Sequence, residues 1–327
     1  MTVQLTIIGL GQIGASVGLA LASQKEVLRR VGHDKEPNIA KRARDMGVID
    51  KVEFNLHAAV QGADLVLLTL PTDQIRETLS LIAEDLKEGA VVMDTAPVKE
   101  IIVAWATELL PAQRYYIGLT PVLNPAYLHT TDTGLDAARA DLFKNGLIAI
   151  SAAPHTISDA VKLAAVLTRL LGSSPLFADP LEMDGLMAAT HLLPQLLAAG
   201  LLNATISQPG WREGRKVAGR AYAEATGPIA HMTTEGLAAE AVLNRENVLR
   251  MLDGTLATLA AIRNDIDSHN QAALEERLER ARQGRELWWK QRLVGDWAGP
   301  EVTPTEMPTS SSIFGSLIGL RTKTKKQ

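Results

Sequence analysis

The residues with the clearest chemical purpose stand near the start of the chain. Gly9-Leu10-Gly11-Gln12-Ile13-Gly14 follows the apolar run Leu5–Ile8 and precedes a helical pattern over Ala15–Ser23. A glycine-rich turn between strand and helix lets the backbone approach a pyrophosphate. The helix start then offers free N–H groups and the positive end of its dipole. Asp34 closes the next apolar run, about 20 residues further on, where a carboxylate accepts both ribose hydroxyls of an adenosine. Such a carboxylate repels a 2′-phosphate, which favours NAD. Lys35, Lys41 and Arg42 stand close by and keep NADP open. Thr69, Leu70 and Pro71 end a further apolar run, and Asp94 and Thr95 end the one after it. In a doubly wound sheet, ligands sit beyond the carboxyl ends of the strands, which places these residues over the nicotinamide end.

The elements that must position them can be read from periodicity. The runs Leu5–Ile8, Val27–Gly32, Asp64–Leu70, Ala90–Asp94, Tyr115–Gly118, Leu147–Ser151 and, weakly, Pro175–Ala178 alternate with helical patterns. This alternation predicts buried parallel strands in βαβ units, an α/β fold with a doubly wound Rossmann-type parallel sheet over residues 1–179. From Pro180 the strands stop. Gly185–Trp211 carries no charged residue. It also holds His191, Pro194, Gln195, Asn203 and Ser207 and lacks aromatic belts, so it reads as a buried core helix and not a membrane span. A long helix is expected over Leu237–Ser268, with Leu249, Leu252, Leu256, Leu259, Ile262 and Ile266 stepping by three and four. A charged helix follows over Ala272–Lys290. Residues 180–297 thus form an all-α substrate and dimerisation domain, because so much apolar surface on so few residues calls for a second copy to make a homodimer. Pro300, Pro304, Pro308 and Ser310–Ser312 mark 298–327 as a disordered tail, which ends in the apolar Ile313–Leu320 and four cations.

Composition bounds the function classes. At 327 residues, two domains are expected, and 46% hydrophobic residues suffice for a sizeable core. The net charge of −4 argues against a broad nucleic-acid-binding face. The absence of cysteine removes disulfides, thiolate nucleophiles and zinc–thiolate sites. No basic segment with a long apolar core opens the sequence, which predicts a cytoplasmic protein acting on a small-molecule substrate.

The ordered motifs resemble the prephenate/arogenate dehydrogenase family through about residue 290. They are the glycine turn, Asp34, Leu68-Thr69-Leu70-Pro71, Asp94-Thr95-Ala96-Pro97-Val98-Lys99, Gly118-Leu119-Thr120-Pro121, Ala138–Phe143 and Asn244-Arg245-Glu246-Asn247. The resemblance implies a Rossmann domain followed by a dimerising helical domain. It also implies NAD(P)-dependent oxidative decarboxylation of a cyclohexadienyl acid in tyrosine biosynthesis. The departures fall on the substrate side. The family's Gly-x-His-Pro segment has Thr120 in place of the histidine that polarises the ring hydroxyl. Its Ser-Val-Lys segment reads Pro97-Val98-Lys99. Its His-Leu-Pro-His motif reads Leu192-Leu193-Pro194-Gln195, with His191 one position off, about 100° around a helix. A local shift of that helix would restore it. No arginine stands in Ala225–Ala230, where the family places one for substrate; Arg215, Lys216 and Arg220 are the nearby cations. Thr120 and His191 are therefore the candidate catalytic residues, with His129 a further option. Two alternatives stay open: an NAD(P)-dependent dehydrogenase of another small acid, and a non-catalytic cofactor-binding protein.

Overall fold

The computed structural model describes residues 2–130, 132–153 and 156–295. The expected tail at 298–327 lies outside them. Within the first half the chain alternates strand and helix. The order is β1 (Val3–Ile8), α1 (Gln12–Ala20), β2 (Leu28–His33), α2 (Pro37–Asp45), β3 (Lys51–Val52), α3 (Leu56–Val60) and β4 (Leu65–Leu68). It continues through α4 (Thr72–Ile82), β5 (Val91–Asp94), α5 (Glu100–Leu109), β6 (Tyr115–Val122), β7 (Leu147–Ser151), α6 (Ser158–Leu170) and β8 (Ser174–Phe177). The sheet order is β3-β2-β1-β4-β5-β6-β7-β8, so the fold is a doubly wound Rossmann-type sheet. The strand order reverses beside β1, between β2 and β4, and ligands bind at such a switch point.

Two features depart from the sequence reading. A short strand β3 pairs with β2, and β7 runs antiparallel to β6. Among the described residues between β6 and β7 there are only short 3-10 turns and no crossover helix. The chain therefore re-enters from the end it left, and antiparallel pairing follows. The helix α6 then restores a parallel β7–β8 pair.

The central strands β1, β4 and β5 are buried on both faces, as parallel strands between helical layers must be, whereas the edge strands β3 and β8 are largely exposed. One face joins Leu5, Ile7, Leu65, Leu67, Ile117, Leu119, Ile148 and Ile150 to α1, α2 and α6. The other joins Val66, Leu68, Val92 and Tyr116 to α4 and α5 through Ile75, Leu79 and Ile102.

The remaining helices are α7 (Pro180–Met187), α8 (Leu193–Ile206), α9 (Trp211–Val217), α10 (Arg220–Thr226), α11 (Thr234–Leu243), α12 (Arg245–Asp267) and α13 (Gln271–Val294). The chain divides into a sheet unit, Met1–Asp184 with Thr233–Leu243, and a helical unit built from Gly185–Met232 and the described part of Asn244–Pro304. The long helix expected from Leu237 is broken at Asn244, which leaves helical dihedrals and is the N-cap of α12, its backbone carbonyl accepting the first intrahelical bond from Val248 N.

The apolar run after Gly185 is not a core helix of this chain. The segment Pro180–Ile206 has a mean hydropathy of 1.4, and only 22% of its apolar window is buried. By length and composition it could cross a membrane. One π-helical turn, Ala188–Leu192, interrupts it. Pro194 explains that turn: its ring has no N–H for the carbonyl of Thr190 and would collide with it in a regular helix, and a widened turn relieves both problems.

Candidate functional site

The site begins with the turn after β1. Gly9 adopts φ +91°, and a Cβ there would lie 2.5 Å from the Thr69 carbonyl oxygen. A Cβ on Gly14 would lie 2.2 Å from the Gly9 carbonyl oxygen and 2.4 Å from Thr69 Oγ1. Protein contacts thus account for both glycines. They do not account for Gly11, whose Cβ would meet nothing within 4 Å. That open space lies at the N-cap of α1, where no side chain caps the helix and no acid stands in the first turn.

Its neighbours are treated differently. The α5 start is held by Asp184, whose carboxylate accepts from Lys99 N at 2.5 Å and Glu100 N at 3.1 Å. The α4 start, like that of α1, has no capping side chain, but it carries an acid, Asp73, in its first turn. The α1 start keeps its unpaired N–H groups and its space for a ligand with negative charge. The residues present therefore fit a pyrophosphate.

Asp34 Oδ2 accepts from Leu10 N at 2.8 Å and Oδ1 from Glu36 N at 2.9 Å, so this carboxylate also fixes the turn. Each carboxylate oxygen retains acceptor capacity. Lys35 beside it is exposed. Arg42 is paired with Asp136 at 2.5 Å, and Lys41 lies over the Phe54 ring. Thr69 ties β4 to β1, with its N–H on Ile8 O at 2.9 Å and its hydroxyl on Gly9 O at 2.5 Å. Leu70 packs against the turn, Pro71 is the N-cap of α4, and Thr95 N donates to Leu68 O at 3.1 Å. Gln12 reaches Ala137 O at 3.4 Å, and Ile13 packs into the core beneath. Gly9 through Gly14, Asp34, Thr69, Leu70, Pro71 and Thr95 are thus brought to one edge of the sheet.

Asp94 behaves otherwise than its position at a strand end suggests. It is fully buried, accepting from Lys99 Nζ at 2.8 Å, from Ala96 N at 2.8 Å and from the Tyr116 hydroxyl. Lys99 is also fully buried. Burial pushes its ammonium below the usual lysine range, and the Asp94 charge opposes that shift. Burial first, and the Asp94 charge second, push the Tyr116 hydroxyl up. Burial likewise raises Asp184, and it raises Glu240 to about 7. The sequence reading missed this cluster. Only Glu240, a single charge within Leu237–Leu243, carried a local signal; Lys99 and Asp184 stand close to Glu100 and Glu182 and read as ordinary helix-start charges.

Thr120 is 2% exposed, on β6 beyond the register position of Asp94. His191 belongs to the helical unit, in the π-helical turn, with Nε2 3.3 Å from Met232 Sδ. Burial, then the nearby His231, lowers its pKa, so its imidazole is neutral at pH 7. Gln195 Nε2 donates to His191 O at 3.0 Å. A π turn adds one residue to a helical turn. His129, Arg215, Lys216 and Arg220 are exposed, and the last two pair with Glu213 and Glu224 on their own helices.

Fold and turn together define a dinucleotide-binding α/β protein with an appended helical unit. Residues 17–174 match the family described as "Prephenate dehydrogenase, nucleotide-binding domain". That match places a segment similar to a prephenate dehydrogenase nucleotide-binding domain across most of the sheet unit. A prephenate dehydrogenase of Bacillus subtilis is 26% identical over 198 residues, 60% of this chain and 52% of the relative. A cyclohexadienyl dehydrogenase of Zymomonas mobilis is 27% identical over 200 residues, 61% of this chain and 66% of the relative. The aligned part of the chain thus spans about half to two thirds of these relatives' length. The fold is shared with a prephenate dehydrogenase from A. aeolicus, solved with hydroxyphenyl propionate and NAD+. Its TM-score is 0.78 at 21% identity, covering 88% of this chain and 98% of that one. It is shared too with the arogenate dehydrogenase of Synechocystis, with TM-score 0.69 at 21% identity over 87% and 99%.

Proposed function

We propose that this chain is an NAD-dependent prephenate or arogenate dehydrogenase of tyrosine biosynthesis. The observation that carries the reading is a prephenate-dehydrogenase nucleotide domain whose sheet edge leaves Gly11 and the α1 start open beside Asp34. The α1 N–H groups hold the pyrophosphate, and Asp34 accepts ribose hydroxyls and repels a 2′-phosphate, which favours NAD over NADP. Leu10, Gln12, Ile13 and Lys35 flank that cradle, while Thr69, Leu70, Pro71 and Thr95 line the nicotinamide end. Bound there, NAD supplies the hydride acceptor. The substrate loses hydride from C4 while its ring carboxylate departs as CO2, and the bonding pair left behind completes the aromatic ring. Thr120 is assigned to the ring hydroxyl as a hydrogen-bonding partner that does not titrate near neutral pH. His191 is assigned as the neutral hydrogen-bond acceptor.

The reading extends to the assembly. We assign residues 1–179 to the nucleotide domain and 180–297 to a helical domain that forms a homodimer in the cytoplasm. The support is exposed aliphatic surface: Leu249, Leu256, Leu259 and Ile266 on α12 are 42–62% exposed. A second copy covering α8 and α12 would bury a length of helix that otherwise reads as membrane-compatible.

The test is to mix the purified protein with prephenate or arogenate, under NAD or NADP, and follow the absorbance of the reduced cofactor. Turnover with one acid is expected, faster with NAD. Absence of turnover in all four mixtures would remove the reading. A second reading, a dehydrogenase of another small acid, is favoured by Thr120, which cannot take up a proton. Prephenate turnover that appears only in a Thr120→His variant would select it.

A further inference from the structure

Strands β6 and β7 pair with Gly118 opposite Ser151 and Thr120 opposite Ala149. Directly opposed residues of an antiparallel ladder present their side chains to the same face, and alternate residues share it. Ile117, Leu119, Ile148 and Ile150 take the other face, against α6. Thr120 and Ser151 therefore share the face of Tyr116, on the two sides of bare Gly118. The Lys99 chain fills the place of the missing side chain: a Cβ on Gly118 would lie 2.7 Å from Lys99 Cδ. Both hydroxyls are buried, with Thr120 2% and Ser151 0% exposed. Neither Thr120 Oγ1 nor Ser151 Oγ has a hydrogen-bond partner among the described residues. A buried hydroxyl without a partner bears its full desolvation penalty, so two together on one face ask for an external partner. Their position supplies a reason. Gly118 is level with Asp94, the last residue of β5, and Thr120 lies beyond it, at the carboxyl edge where doubly wound sheets bind ligands.

We propose that Ser151, together with Thr120, binds the hydroxyl oxygen on the ring carbon that loses hydride. The inference rests on the cyclohexadienyl-acid reading above. A serine and a threonine hydroxyl each donate one hydrogen bond and accept two, so the pair can satisfy both the proton and the lone pairs of a substrate hydroxyl. Ser151 thereby supplies a hydroxyl to the same ring position as Thr120, from a different strand. Neither hydroxyl itself titrates across the neutral range.

Two probes that differ only in the ring hydroxyl test it: hydroxyphenyl propionate with its hydroxyl para to the side chain, and phenylpropionate. Binding of each to the full chain with NAD present is measured by calorimetry. The native chain is expected to favour the hydroxylated probe about tenfold, the equivalent of roughly one net buried hydrogen bond. Ser151→Ala should reduce the preference to about threefold, and Ser151→Ala with Thr120→Val should abolish it. Thr120→Val alone, nearly isosteric, serves as an independent probe should Ser151→Ala fold poorly. Thr168→Val removes another buried, unpartnered hydroxyl, on α6 and so on the opposite side of the sheet, and should leave the preference intact. Equal binding of both probes by the native chain would overturn the inference, as would an undiminished preference in the double variant. Cofactor reduction with prephenate or arogenate is scored separately. Turnover with an unchanged preference defeats the inference alone, and a hydroxyl-dependent preference without turnover defeats the dehydrogenase reading alone.

Discussion

In the sheet unit, Leu5, Ile7, Leu67, Leu68, Ile75 and Leu79 are each at most 1% exposed, and the two faces close around β1, β4 and β5. In the helical unit the 23-residue α12 buries only Val248, and the 24-residue α13 only Arg292. Leu256, Leu259, Ile266, Leu287 and Val294 stand 51–71% exposed on these helices. Both buried hydrophobic clusters lie in the sheet unit, while the long helices of the other unit keep most of their aliphatic side chains exposed. The nucleotide half encloses its sheet within one chain, whereas the helical half leaves aliphatic side chains exposed, the surface that the proposed second copy would cover.

The largest effect expected from breaking this contrast lies inside the sheet unit. Lys99→Met leaves Asp94 as a buried carboxylate without its cation, at a cost of about 3–5 kcal/mol in unfolding free energy measured by denaturant titration. A loss below about 1 kcal/mol would mean that the pair is not enclosed. Next comes the helical unit. Leu256→Glu with Leu259→Glu should raise the dimer Kd at least about 100-fold, which is roughly 3 kcal/mol. Sedimentation should then show monomers with cofactor binding retained. A native chain that is monomeric at micromolar concentration would defeat the dimer.

Glu240 offers a sharper probe of the enclosed half, because its folded pKa of about 7 lies above its ordinary 4.5. The folded state holds a proton there that the unfolded state has released. The stability it contributes is therefore full below pH 4.5 and lost as pH rises through about 7. Glu240→Gln retains an acceptor for Thr72, whose Oγ1 donates to Glu240 Oε1 at 2.9 Å, and should flatten that decline, worth about 2–3 kcal/mol, in unfolding curves taken between those pH values. An identical slope in the variant would show that another group controls it.

The smallest effect separates two glycines. Gly11→Ala adds a methyl group to open space and should leave thermal stability unchanged while weakening NAD binding roughly tenfold, as the loss of about one hydrogen bond would. Gly14→Ala drives a methyl group into backbone and should lower stability as well. Unaltered NAD affinity in Gly11→Ala would move the pyrophosphate elsewhere.

What the sequence disclosed follows from range. The glycine turn and Asp34 are local spacings along one βαβ unit, so they could be read directly. The cluster around Asp94 joins residues 5, 22 and 85 positions apart and has no local spacing. The direction of β7 was hidden because period-two burial is the same in either direction; the helix-free stretch between β6 and β7 was the available cue. The apolar run after Gly185 reads alike whether its cover is its own core or a partner's, which is why core burial was expected there. Pro194 was visible, but the π turn it accompanies depends on the dihedrals of a whole turn. Ser151 lies in an ordinary strand, and only its pairing with Gly118 reveals its neighbours.

The most direct test of the proposed activity measures reduced cofactor and released CO2 together, in one mixture of protein, NAD and prephenate, and again with arogenate. Oxidative decarboxylation predicts equal amounts of the two products from one of the acids. Cofactor reduction without CO2, or no reduction with either acid, would contradict it.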